Sequence, residues 1–146
     1  MSINRSFVEL NQASTERIRR FGELGGAELQ TQVGEHWTAA IALAHLAFWD
    51  RRVLQVLDLT ERNGSLTVPQ VDVVTNDLSL PLWAAIPPRE AARLALEAAE
   101  TLDARLQAYP AGLLERVYVY NARWVERFRH RNEHLDEVAA AVGREI

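Results

Sequence analysis

The sequence predicts an all-α fold, a four-helix bundle, and three features carry that prediction. Apolar residues recur at three- and four-residue intervals through four long stretches. Clusters of glycine and proline separate those stretches. No strand pattern of useful length competes with the helical periodicity.

The first helix is expected over residues 3–21, where Ile3, Phe7, Leu10, Ser14, Ile18 and Phe21 share one face and Gly22, Gly25 and Gly26 end the run. Residues 27–36 read as a connector. Thr38 is a good N-cap for the second helix, with Trp37 before it as a hydrophobic staple. That helix runs to about Arg62 and stops at Asn63-Gly64. Apolar residues nearly encircle it, so one side faces the core and the other is expected to meet a second subunit in a homodimer. Residues 63–87, with Gly64, Pro69, Pro81 and Pro87, form a long crossover between the second and third helices, in which Val71, Val73 and Val74 supply a short extended piece. Pro88 opens the third helix, which continues to about Ala108 and breaks at Tyr109-Pro110-Ala111-Gly112. Residues 113–121, where Val117, Tyr118, Val119 and Tyr120 have strand-like propensity, read as an irregular lead-in to a last helix over Arg123–Ala141.

The 146 residues suit one domain, 1–146, long enough to bury a core. A net charge of −4 leaves no basic field for nucleic acid or an anionic membrane surface. The most apolar window, Ala39–Leu57, holds Asp50, Arg51, Arg52 and Gln55, which a membrane span should not carry. No signal-peptide run stands at the N-terminus, so a cytoplasmic location is expected. There is no cysteine, so the chain has no disulfide, no thiol nucleophile and no thiolate ligand of its own. A metal must be held by His, Asp or Glu.

Four histidines are present, and His130 and His134 stand four residues apart on the last helix, one turn above the other on a single face. His45 lies among Ile41, Phe48 and Trp49 on an apolar arc of the second helix. Together the three form a candidate three-nitrogen metal site with an open fourth position, the pattern of catalytic zinc. Each also has an ordinary explanation: His45 as a hydrogen-bonded core residue, His130 and His134 as surface residues. Spacing alone leaves both readings open. His36 reads as a surface or capping residue. The segment His130-Arg131-Asn132-Glu133-His134 fits the H-x-x-E-H pattern of inverted zinc peptidases, but the motif is short and the chain too small for that class. Arg123 and Arg127 share the flank of the histidines and read either as solvated charge or as a clamp for a carboxylate on a substrate or thiol cofactor. Asp50 and Arg51 read as surface residues.

Trp37-Thr38, then Ala44-His45-Leu46-Ala47-Phe48-Trp49-Asp50, then His130 and His134 followed by Leu135-Asp136-Glu137, resemble the DinB-like (YfiT-like) superfamily, in particular the metal-binding domain of mycothiol-dependent maleylpyruvate isomerase and its relatives. Val71-Asp72, Asn76-Asp77 and Pro87-Pro88-Arg89-Glu90-Ala91 are similar to that family's crossover loop and third-helix start. The resemblance spans nearly the whole chain. It implies an up-down-down-up four-helix bundle, often dimeric, and a divalent metal, zinc or nickel among others, on three histidines that correspond by position to His45, His130 and His134. It further implies a low-molecular-weight thiol such as mycothiol or bacillithiol as co-substrate. No counterpart of the isomerase's extra C-terminal domain enters the resemblance, so the resemblance leaves isomerase activity itself open. The expected function is a metal-dependent thiol S-transferase acting on a small electrophile. The alternatives are a metal-dependent hydrolase using water at the same site, or a non-catalytic helical dimer with a vestigial site.

Overall fold

The computed structural model describes residues 3–72 and 74–146. Val73, part of the expected extended piece, lies outside them. The described residues are mostly helical, as the periodicity predicts, with almost no sheet.

Helix α1 spans Phe7–Phe21. It starts later than expected because the Asn4 side chain accepts from the Ser6 amide at 3.0 Å, closing a turn before the helix. Its buried face also differs. Leu10 is exposed, while Asn11, Ser14 and Thr15 are buried between Phe7 and Ile18. The expected connector contains a single helical turn, α2 (Gly26–Leu29), and two short strands, β1 (Gln32–Val33) and β2 (Trp37–Thr38). The strands pair antiparallel, with Val33 opposite Trp37. Helix α3 covers Ala39–Asn63, close to expectation. The Thr38 hydroxyl accepts from the Ile41 amide at 3.1 Å and caps it. Gly64 ends it at φ +69°, a left-handed geometry that costs any side-chain-bearing residue free energy.

The crossover is not irregular throughout, since it contains helix α4 (Thr75–Ala84), which buries Trp83. Helix α5 (Pro88–Ala108) begins at the proline that opens it and buries Ala91, Ala92, Ala95, Ala98 and Ala99 along one side. The expected lead-in over 113–121 is instead helix α6 (Ala111–Tyr120). Burial of Leu114 and Val117 in the core overrides the strand propensity of the Val-Tyr run. The last helix is broken as well. A 3₁₀ turn at Ala122–Trp124, capped by the Asn121 side chain, precedes helix α7 (Phe128–Val142). Arg123 and Arg127 therefore lie before α7 rather than on its flank.

Four helices touch in a cycle: α3 lies along α5, α5 against α1, α1 against α7, and α7 back against α3. Their interior is divided along its length. One apolar cluster gathers Ile18 and Phe21 of α1, Ala39–Ala47 of α3, the alanines of α5, and Leu135 and Val138 of α7. A second gathers Phe7, Val53, Leu57, Leu102, Leu106, Leu114, Val117 and Val125. Between them in chain order come the buried polar residues Asn11, Ser14, Thr15, Asp50, Arg127 and Arg131, and Asp103 of α5 joins them from just past Leu102. Of the encircling apolar residues of α3, those in the stretch 39–47 are buried within the single chain, as is His45 among them. Among the described residues no helix is long and apolar enough to cross a membrane.

Candidate metal centre

The structure brings His45 of α3 together with His130 and His134 of α7. One ligand nitrogen from each lies within 4.8 Å of the other two. The Nε2 atoms of His45 and His130 face each other at 3.1 Å. Two imidazoles on a tetrahedral zinc, with bonds of about 2.0–2.1 Å, stand roughly 3.3 Å apart, so this pair already has the right separation. The donor set is all imidazole. His36 is exposed, 3.7 Å from Glu35, and takes no part.

The supports of the three rings differ. His134 Nδ1 lies 3.5 Å from Glu137 Oε1, a carboxylate–histidine pair that leaves the other nitrogen free. His45 Nδ1 is buried without a partner. His130 Nδ1 lies 3.1 Å from Arg127 Nη2. Burial, reinforced by His134 and Arg127, pushes the His45 imidazole down to about 3. Burial and then Arg127 push His130 down to about 2. His134 is lowered by burial, against the opposing charges of Glu137 and Glu133. All three rings are therefore neutral at pH 7, each with one ring N–H and one lone-pair nitrogen, so none has to shed an imidazolium proton before binding a cation. On separation, donor type and neutrality, these residues fit a divalent metal.

Tryptophans wall the cluster. Trp37, held by the β-hairpin, stacks on His134 at 5.5 Å between ring centroids and lies 4.7 Å from His45. It thus forms part of the site's wall. Trp83 of α4 meets His45 edge-on at 5.4 Å. Trp49 donates to Asn76 Oδ1 at 2.9 Å, tying α4 to α3 beside the rings. These walls lower the local polarity, which strengthens any charge interaction inside.

Behind the histidines lies the buried polar layer. Asp50, expected at the surface, is fully buried and bridges Arg127 Nε at 2.8 Å and Arg131 Nε at 3.0 Å. Arg131, also fully buried, donates further to Asp103 Oδ1 at 2.8 Å, to Ser14 and Thr15 hydroxyls and to the Asn11 carbonyl. Thr15 in turn donates to Asp103. Burial raises the Asp103 carboxyl, against the pull of Arg131. Two guanidiniums and two carboxyl groups so connect α1, α3, α5 and α7. Arg127, considered as solvated charge or as a clamp, is a buried link from this layer to His130. Arg123 is exposed and grips Glu133 with two bonds of 2.9 Å, so Glu133 of the H-x-x-E-H segment is held by an arginine. Arg123 and Arg127 do share a cleft of about 170 Å³ with Trp49, Val53, Asn121, Trp124 and His130. A larger groove of about 610 Å³ beside Arg51, Arg52, Asp58 and Glu97 contains none of the histidines.

Sequence reasoning missed Asp50, Arg131 and the tryptophan walls. One signal was present: Asp50 falls in the apolar series Leu43, Leu46, Asp50, Val53, Leu57 of α3, and Asn11 and Thr15 fall between Phe7 and Ile18 of α1, so polar residues stand at core register positions. No family model, curated protein or solved structure matches the chain.

Proposed function

We propose that the chain is a divalent-metal-dependent enzyme of DinB-like type, a low-molecular-weight-thiol S-transferase working at His45, His130 and His134. The fold we propose for it is a four-helix bundle of up-down-down-up topology formed by α1, α3, α5 and α7, with α4 inside the long crossover from α3 to α5. One observation carries the functional reading: three neutral imidazoles from two helices converge within ligand reach of one another, walled by tryptophan.

A zinc or nickel ion held there would supply Lewis acidity, lowering the pKa of a thiol or water at its open position. The chain's own residues do the rest. Glu137 orients His134, Trp37 and Trp83 exclude water, and the Arg127 guanidinium adds positive charge at His130. That charge, next to an added cation on neutral ligands, favours an anionic partner such as a thiolate over a neutral one. Having no cysteine, the protein must take its sulfur from a co-substrate, for which mycothiol or bacillithiol is the expected source. Such thiols stay reduced in the cytoplasm, the location we propose. The same three residues also suit a hydrolase using water, or a non-catalytic helical dimer.

Metal analysis of untagged protein tests the reading directly. We expect about one zinc or nickel per chain, lost in His45→Ala and in His130→Ala while helical circular dichroism persists. Metal retained at full stoichiometry in both variants would refute the three-histidine site. A small thiol that perturbs the visible spectrum of cobalt-loaded protein supports the transferase, and turnover of an ester or amide with no thiol effect supports the hydrolase. Sedimentation equilibrium tests the proposed homodimer.

A further inference from the structure

Arg127 stands in a relation to His130 that a metal would have to change. A guanidinium carries only donors. At 3.1 Å from Arg127 Nη2, His130 Nδ1 must therefore be the acceptor, which puts the single proton of the neutral ring on Nε2. That Nε2–H donates to His45 Nε2 at 3.1 Å, so the His45 proton sits on Nδ1, the buried atom with no partner. The protons are placed without conflict, at the cost of a buried His45 N–H with no acceptor, and the arrangement is closed to metal: the His130 nitrogen aimed at the centre carries a hydrogen. For that nitrogen to offer a lone pair the proton must move to Nδ1, where it would point at an Arg127 N–H, donor against donor.

We propose that the Arg127–His130 hydrogen bond and a metal at the three histidines exclude one another, and that loading the metal frees Arg127 Nη2 to bind the carboxylate of a small co-substrate in the cleft that Arg127 already lines. This deepens the reading above and rests on it. The ring keeps one proton throughout, transferred from Nε2 to Nδ1, so the step releases none. Arg127 does not leave the site, because its Nε stays on Asp50 at 2.8 Å and its Nη1 on the Arg123 carbonyl at 3.2 Å. Only Nη2 loses its acceptor. An unpaired donor at a buried group is costly, and the cleft it shares with His130 is where an acceptor can come from. The cleft is lined by two indole rings, Trp49 and Trp124, and by Arg123 beside Arg127, which suits a planar carboxylate.

The wild-type protein gives the first test. Long-range ¹H–¹⁵N correlation of its four histidines reports which nitrogen of each ring is protonated. We expect His130 as the Nε2–H form without metal and the Nδ1–H form with zinc. If zinc shifts none of the three rings, both the metal reading and this inference fall. If zinc binds and His130 either starts as Nδ1–H or loses its ring proton altogether, the metal reading stands and the exclusion is wrong. The second test uses benzoate, followed by tryptophan fluorescence. Zinc-loaded wild type should bind it about tenfold or more tightly than metal-free protein, and zinc-loaded Arg127→Gln should lose that gain while holding zinc at least as tightly. Equal benzoate binding by zinc-loaded wild type and Arg127→Gln would place the carboxylate on the metal alone and overturn the carboxylate site.

Discussion

Asparagine in place of Asp50 keeps the shape of the buried layer and removes its central charge. Asp50 receives Arg127 on one oxygen and Arg131 on the other, and both guanidiniums are buried. An amide can accept on its oxygen only, so one charge-assisted bond, worth about 1.5–3 kcal/mol, is replaced by a donor facing a donor. Arg131 retains Asp103, but Arg127 is left with the Arg123 carbonyl and His130 and no counter-charge. Breaking a buried pair costs about 3–5 kcal/mol, and at about 2–4 °C per kcal/mol for a chain near this size the melting temperature should fall by roughly 6–20 °C. Urea unfolding followed by circular dichroism measures the free energy. The control is Asp58→Asn, which disturbs the more exposed Asp58–Arg105 pair and should cost no more than about 1 kcal/mol. If the two variants unfold at the same urea concentration, the buried layer does not act as argued.

Stability without metal should fall in mild acid. His45 and His130 titrate near 3 and 2 when folded, against 6.5 when unfolded, so below pH 6.5 the unfolded chain binds protons that the folded chain refuses. Each group then withdraws about 1.4 kcal/mol per pH unit, a loss of roughly 4 kcal/mol or more between pH 6.5 and 4.5 for the pair. Equal urea midpoints at those two pH values would contradict it, and His45→Leu should flatten the slope. Thr38→Ala removes the cap of α3 and should cost about 1 kcal/mol in the same unfolding measurement. Because the cap adjoins Trp37, zinc affinity in that variant, read by competition with a chelator, should fall as well.

The helices with long periodic faces and strong stop signals were legible in the sequence. Thr38, Gly64 and Pro88 mark boundaries that the structure places within a residue or two. The elements that escaped are those governed by tertiary burial. Residues 111–120 form α6 because Leu114 and Val117 enter the core, which no local propensity of Val-Tyr-Val-Tyr announces. The last helix breaks before Phe128, whose amide is taken by Asn11 Oδ1 from the far end of the chain. The histidines were legible because i,i+4 spacing is a local property. Their approach to His45 was not, since it depends on how α3 and α7 pack. Asp50 was misread because it adjoins the exposed Arg51 while its own position points inward.

Greasy interfaces of alanine and leucine are forgiving about height, because a neighbour shifted by one turn, about 5.4 Å, meets much the same surface. Arg131 removes that freedom. Its Nε and Nη1 are matched to oxygens at one level on α1, α3 and α5, and a shift of α7 by a turn would strand both ends of every such pair in hydrocarbon. His130 and His134 ride on the same helix as Arg131. The depth at which three imidazoles meet is thereby set by an arginine that never touches them.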